Sequence, residues 1–392
     1  HSKSGPKASL SIALNATTML SPLTGIGRYV KELALALVQQ GVDIRYFDGH
    51  RWLDAPLQAG GPSSPNHARQ LLRKLARVVP GAQHCSRELQ QYRFTKGLIS
   101  PMPALYHEPN YLAFRFSGPS VITAHDASWV RYPETHPVAR VRAMERYFPA
   151  ALERAQRVIV DSDFVAREMH EVFGVPYARL RTVLLGVSPV FRPLTRQLTQ
   201  ATCQRLGVEH GRFILTVGTL EPRKNLLNLI RTYRALPSGL ASRYPLVIAG
   251  MQGWRHENTD LEIAALERAG LVRFLGHVDE DDLPALYAAA AVFAYPSFYE
   301  GFGLPPLEAM QSGVPVIVAD CSSLPEVVGD AGKRINPHDV DALTEALRNI
   351  LEDEALRQSM TEAGVARAAD FTWKRCGEQT LAVYREAIAA SL

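Results

Sequence analysis

The sequence predicts an α/β fold of two doubly wound domains facing each other across a cleft. Two observations carry that expectation. Short apolar runs alternate with segments of helical periodicity from residue 9 onward, and the alternation restarts after a proline-punctuated stretch at residues 186–193. A length of 392 residues suits two or three ordinary domains, and 46% apolar with 21% charged residues can build buried cores in water.

Residues 9–14 put Leu10, Ile12 and Leu14 on one face, as a strand would. A loop with Gly25 and Gly27 follows, then a helix on which Val30, Leu33, Ala34, Leu37 and Val38 keep the helical repeat until Gly41 ends it. Residues 42–47, 120–123 and 157–160 read as further strands. In the second half the strands fall at 213–217, 246–249, 272–275, 291–295 and 314–318, with a helix at 226–236. The hinge is expected near 186–195, giving a first domain over 8–190 and a second over 191–373. In such sheets ligands collect beyond the carboxyl ends of the strands.

A net charge of +4 is too small to argue for nucleic acid. Cys85, Cys203, Cys321 and Cys376 are scattered without C-x-x-C spacing, which speaks against a disulfide framework or zinc site and for a reducing cytosol. No apolar run approaches the ~20 residues needed to cross a bilayer, and residues 1–7 have no apolar core resembling a signal peptide. Residues 69–96 are basic, with Arg73, Lys74, Arg77, Arg87 and Arg93 against Glu88, and Leu71, Leu72, Leu75 and Val78 would form an apolar stripe. Two readings stay open there: a packed segment with a solvated face, or peripheral contact with an anionic membrane.

The most informative segment is residues 298–308. Glu300 and Glu308 have seven residues between them, across a glycine loop that opens a helix after the buried strand 291–295. Pro305 and Pro306 suit a first helical turn. The amides of Phe302, Gly303 and Leu304 would then be unpaired and aimed outward, where the positive end of the helix dipole favours phosphate. A ligand with hydroxyls at both ends and phosphate between them fits; a nucleotide-sugar has that shape. The plainer explanation is a solvated loop glutamate and a second one favouring a helix N-terminus.

This segment resembles the E-x7-E signature of the family 4 retaining glycosyltransferases, which have the GT-B fold of two Rossmann-like domains. The resemblance implies that Glu300 contacts the donor sugar's hydroxyls, Glu308 holds the ribose, and the backbone of Gly301, Phe302, Gly303 and Leu304 cradles the diphosphate. It covers nearly the whole chain, most specifically in the second half, and implies that a last helix, 374–392, crosses back to the first domain.

The other candidates gain or lose by this resemblance. Gly25 and Gly27 let the backbone approach a ligand, and the family has such a loop near the donor diphosphate; a tight β–α turn would also want glycine. A dinucleotide fingerprint would need glycine where the chain has Val30, which weakens an oxidoreductase reading. Gly218 opens the segment 218–225, in which Arg223 and Lys224 stand at a helix entrance, awkward for two cations unless an anion lies opposite. Together they would neutralise a leaving diphosphate, and the family uses an Arg and a Lys on this loop. Many members carry Arg directly after the glycine, where this chain has Thr219, so Arg223 is the candidate for the missing guanidinium.

His125 and Asp126 follow a short strand; the resemblance puts His125 near the transferred sugar, while Asp126 is a candidate for the acceptor hydroxyl. A structural His–Asp pair is the competing account, and His107 and Glu108 are weaker cleft candidates. Asp161 and Asp163 match a D-x-D pattern, and Asp279 to Asp282 form an acidic run, but both read as helix starts, so no catalytic metal and no cofactor are expected.

The resulting expectation is a cytoplasmic, metal-independent retaining hexosyltransferase, resembling bacterial mannosyltransferases of surface-polysaccharide assembly. Its donor would be GDP-mannose or a GDP-linked deoxy relative, and its acceptor a saccharide or lipid-linked saccharide. The alternatives are a GT-B nucleotide-sugar epimerase, which needs no acceptor, and a non-catalytic nucleotide-sugar-binding protein, which need not keep both glutamates.

Overall fold

Two sheets organise the chain in a computed structural model that describes residues 10–20, 25–55, 82–98, 101–251 and 257–391. The first contains β1 (Ser11–Asn15), β2 (Asp43–Phe47), β3 (Trp52–Leu53), β4 (Leu105–Glu108), β5 (Ser120–Ala124), β6 (Arg157–Val160) and β7 (Leu180–Thr182). Their spatial order is β3-β2-β1-β4-β5-β6-β7, parallel throughout except for the β2–β3 pair. The second contains β8 (Ile214–Val217), β9 (Leu246–Ala249), β10 (Val272–Gly276), β11 (Val292–Tyr295), β12 (Val316–Ala319) and β13 (Lys333–Ile335). Its order is β10-β9-β8-β11-β12-β13, all parallel. Central strands such as β5, β9, β11 and β12 are buried along their whole length, which is why they read as unbroken apolar runs.

Chain order reverses between β8 and β11, the kind of switch point at whose carboxyl edge open α/β sheets collect ligands. The loops leaving these two strands carry Gly218 to Lys224 and Phe298 to Gly303. The last helix, Trp373–Ala389, returns to pack on the helix Gly25–Gln39 and on β4, β5 and β6. Its Trp373, Cys376 and Tyr384 are buried, and the Val187 amide donates to the Phe371 carbonyl at 3.1 Å where the two connecting segments pass.

Several strands escape the pattern reading. β4 does so because its core-facing polar groups break the apolar signal: Glu108 accepts from Asn15 at 2.7 Å and from Tyr106 at 2.6 Å. His107 bonds Tyr384 at 2.6 Å and Thr123 at 2.8 Å. Burial, helped by nearby His125, pulls the His107 imidazole down to about 3, so it is neutral. His107 and Glu108 are therefore parts of a buried network inside the first sheet. β3, β7 and β13 are too short for periodicity to register.

The glycine loop expected at Gly25 and Gly27 is also different. Both stand in the first turn of the helix Gly25–Gln39, and Gly27 is buried. In the basic segment, the described part is the helix Ala82–Lys96. There Arg87 is spent internally, donating to the carbonyls of Leu112 and Ala113 at 2.8 and 3.0 Å. Leu71, Leu72, Arg73, Lys74, Leu75, Arg77 and Val78 lie outside the described residues. No helix among the described residues is long and apolar enough to cross a membrane.

Candidate active site

The site is assembled where the loops after β8 and β11 are zipped together. The Phe298 amide donates to the Arg223 carbonyl at 2.8 Å, and the Asn225 side chain donates to the Pro296 carbonyl at 2.9 Å. The helix Leu304–Gln311 starts at Gly303, whose φ of +120° and close approach to Leu324 (2.9 Å from where a Cβ would stand) require glycine. Pro305 and Pro306 occupy its first turn. Among the described residues no acceptor takes the amides of Gly301, Phe302, Gly303 or Leu304. The carbonyls beside them are used: the single Ser323 hydroxyl proton is shared between those of Glu300 and Phe302, at 2.8 and 2.6 Å, and Ser162 donates to that of Gly301 at 2.7 Å. This segment thus presents donors and hides acceptors, the polarity an anion requires.

Glu300, only 8% exposed, precedes these amides. Lys224 donates to its Oε1 at 2.5 Å, Ser297 donates to the same oxygen at 2.6 Å, and Arg223 Nη1 reaches Oε2 at 3.3 Å. Burial alone would push this carboxyl up; the charges of Lys224 and Arg223 and the two shorter hydrogen bonds outweigh it and hold the group at about 2. Lys224 is held below its ordinary range, first by burial and then by Arg223, against the pull of Glu300. Its Nζ also donates to the Tyr295 hydroxyl at 2.8 Å. Arg223 is pinned by Glu221 at 2.7 Å and by the Tyr299 carbonyl at 2.9 Å. Two adjacent cations and a carboxylate more than seventy residues away thus form one buried cluster. Gly218 closes β8 with its amide on the Ala249 carbonyl at 2.9 Å.

Glu308 lies one turn inside the helix and is 4% exposed. Its partner comes from the first half of the chain: Arg28 Nη1 donates to Glu308 Oε1, and Nη2 lies 3.6 Å from Glu280. Burial raises the Glu308 carboxyl, with Arg28 opposing. The Tyr287 hydroxyl faces the same carboxylate without completing a hydrogen bond. Arg28, beside Gly27, thus fastens the first turn of one domain to the helix of the other.

More contacts cross the cleft. Glu326 accepts from the amides of Asp163 and Phe164 at 2.8 and 2.7 Å, and the Tyr299 hydroxyl accepts from the Ala127 amide at 2.7 Å while donating to Glu168. Gly301 lies so close to the first domain that a Cβ there would stand 1.8 Å from the His125 carbonyl oxygen.

His125 reaches this region with its backbone. Its ring nitrogens sit on Asp161 Oδ2 at 2.7 Å and on the Pro109 carbonyl at 2.8 Å. Both partners are acceptors, so the ring carries both protons, and Asp161 with Pro109 raises it against the opposing effect of burial. In this arrangement no ring nitrogen is free for a sugar. Asp126 Oδ1 accepts from the amide and hydroxyl of Ser128 at 2.9 and 2.8 Å, bracing the turn. Asp161 and Asp163 diverge: the first pairs with His125, the second accepts from Thr182 at 2.6 Å. The N-cap of the following helix is Ser162, which accepts from the Val165 amide at 3.2 Å.

With this geometry in view, the relatives decide the family. The model of Glycosyltransferase Family 4 matches residues 23–191, and that of Glycosyl transferases group 1 matches residues 204–367. O-antigen chain mannosyltransferase B of Escherichia coli is 39% identical over 370 residues, covering 93% of this chain and 96% of that protein. The chain is a family 4 glycosyltransferase. The serotype-specific mannosyltransferase WbdA of Escherichia coli is 32% identical over 64% of this chain and 33% of its own length. Among solved structures, sucrose-phosphate synthase from Thermosynechococcus elongatus superposes with a TM-score of 0.71 at 23% identity, covering 97% and 100% of the two chains. WaaG, a glycosyltransferase involved in lipopolysaccharide biosynthesis, gives 0.68 at 19% identity over 94% and 98%. These two share the GT-B fold. The relatives are transferases, so neither the epimerase nor the non-catalytic alternative is favoured.

In this glycosyltransferase the structure brings Glu300, Arg223 and Lys224 together beside the open amides, and adds residues that sequence reasoning passed over. Arg28, Ser297 and Tyr295 had no motif of their own. Arg28 could have been flagged as a cation in the first turn of a helix, the unfavourable end for positive charge. Ser297 and Tyr295 carry no comparable signal.

Proposed function

We propose that this glycosyltransferase moves a mannosyl group, or a related deoxyhexosyl group, from its GDP-linked donor to a saccharide or lipid-linked saccharide, retaining anomeric configuration and needing no metal. One observation carries the reading: a buried, ionised Glu300 held by Lys224 and Arg223 stands directly before four amides that find no acceptor among the described residues, at a helix N-terminus. The mannose preference is supported by the Escherichia coli O-antigen mannosyltransferase, and retention by the family.

In this mechanism Glu300 accepts hydrogen bonds from the donor sugar's hydroxyls. The C1–O bond breaks with its electron pair going to the diphosphate, whose growing charge meets Lys224, Arg223 and the amides of residues 301–304. The acceptor oxygen bonds C1 on the face the leaving group vacates, and its proton leaves with the diphosphate. Glu308 takes the ribose hydroxyls once Arg28 yields the carboxylate. Gly25 and Gly27 place the start of their helix beside this seat, and the His125 backbone closes over Gly301. A lipid-linked acceptor would bring the enzyme to the inner face of the cytoplasmic membrane, with residues 69–96 as the contact.

The test is a panel of GDP- and UDP-sugars with saccharide acceptors, read by thermal shift and by the anomeric signals of the product, with and without EDTA. GDP-mannose should raise the melting temperature and give an α-linked product in EDTA. A response to UDP-sugars alone, an inverted product, or loss of turnover in EDTA would each overturn the corresponding part. Flotation with anionic vesicles tests the membrane contact.

A further inference from the structure

Beyond Glu300 the carboxyl edge of the second sheet holds another recess. The chain leaves β11 through Phe298, β12 through Asp320 and Cys321, and β13 through Asn336, Pro337 and His338; with Tyr132 of the first half these line an open recess of about 500 Å³. That size lies within the range of small-molecule sites, about 300–1,000 Å³. Its place along the edge is informative. In the order β10-β9-β8-β11-β12-β13, the charged cluster sits on the loops after β8 and β11, and the recess on those after β11, β12 and β13, on the side away from β10.

The wall is continuous with Glu300. The Ser322 hydroxyl, next to Cys321, accepts from the Glu300 amide at 3.1 Å. Cys321 is occupied, its thiol donating to the Phe298 carbonyl at 3.3 Å, and burial pushes it up to about 11, so it is no nucleophile. The lining chemistry is that of a neutral carbohydrate site. Phe298 and His338 stack with centroids 4.8 Å apart at 29°, and Tyr132 leans on Tyr299 at 5.4 Å, giving flat faces for sugar C–H groups. Asp320, Asn336 and the exposed His338 supply donors and acceptors for hydroxyls. Among the described residues no lysine or arginine lines the recess, and Arg334, 3.8 Å from Asp320, is already paired with that carboxylate.

We propose that this recess is the acceptor subsite, holding a neutral sugar unit of the saccharide whose hydroxyl attacks the donor carbon. The inference rests on the transferase reading and adds where the acceptor sits. Both domains line the recess, so the subsite is complete only when Tyr132 faces Phe298 and His338 across the cleft.

The experiment uses the full chain with GDP-mannose and three acceptor probes: methyl α-mannobioside, methyl β-galactoside and methyl N-acetyl-β-glucosaminide. Probe contact is read by saturation-transfer NMR, transfer by steady-state kinetics, and GDP affinity by calorimetry. His338→Ala, the milder His338→Gln and Asp320→Asn should each raise the acceptor KM at least tenfold, or abolish probe contact, with the GDP Kd within twofold of wild type. Unchanged acceptor KM in all three, or a GDP Kd that rises in step with it, overturns the subsite. So does a wild-type protein that contacts none of the probes. Failure of the wild type to bind any nucleotide or turn over any nucleotide-sugar would instead remove the transfer reading beneath it.

Discussion

Replacing Glu300 with Gln gives the sharpest test of the charged cluster, because the same substitution has a stability and a catalytic consequence. A carboxyl held at about 2 when its ordinary value is 4.5 contributes about 3 kcal/mol to folding at neutral pH. The folded value is depressed, so this contribution is full above pH 4.5 and is lost as pH falls towards 2. At pH 3.5 roughly 2 kcal/mol should remain. Lys224 is already held low by burial, and without Glu300 it binds a proton less readily still. A neutral amine lets the variant shed buried charge, which makes about 3 kcal/mol a ceiling. In a domain of this size that corresponds to a melting temperature lower by roughly 6–12 °C at pH 7. The fold should persist. Transfer should fall about 100-fold or more, since charge-assisted hydrogen bonds to the sugar are worth about 1.5–3 kcal/mol each. The assay is thermal melting of both proteins at pH 7 and 3.5, with initial rates of transfer at pH 7. Equal melting temperatures at pH 7, or a difference that does not shrink at pH 3.5, would refute the electrostatic account, and undiminished turnover would remove Glu300 from the mechanism.

Three further outcomes are expected. Arg28→Met should cost about 3–5 kcal/mol by leaving Glu308 buried without a cation, and most of that loss should vanish in the Arg28→Met, Glu308→Gln double variant; a coupling below about 0.5 kcal/mol in urea denaturation would show the pair to be idle. Gly301→Ala should force the domains apart, because its Cβ would stand 1.8 Å from the His125 carbonyl oxygen; small-angle scattering should show a larger radius of gyration and transfer should collapse, and an unchanged radius with normal activity would contradict this. His125, raised by Asp161 and the Pro109 carbonyl against burial, contributes stability that is complete below about pH 6.5 and fades as pH rises through its folded value. Asp161 is itself pushed up by burial, but two acceptors on one ring favour the imidazolium, so NMR titration of His125 should show a midpoint above 6.5.

The sequence alone determined the fold class and the helix that opens after Glu300, for a physical reason common to both: the signals are local. Strands buried on both faces, such as β9 and β11, must be apolar throughout, and a helix that opens on Gly303, Pro305 and Pro306 after Glu300 announces its own exposed amides. Lys224 and Arg223 were legible as cations at a helix entrance, a misplacement that asks for an anion. Tertiary structure alone decided which charges neutralise which. It set Arg28 on Glu308 across 280 residues of chain, turned both nitrogens of the His125 ring to protein acceptors, and placed His107 and Glu108 in a buried network. It also drew Tyr132 and His338 to one recess from opposite domains. Charge pairing and cavity formation depend on distance in space, which falls to a few ångströms only after both sheets have folded and closed on each other, and no periodicity in the chain records it.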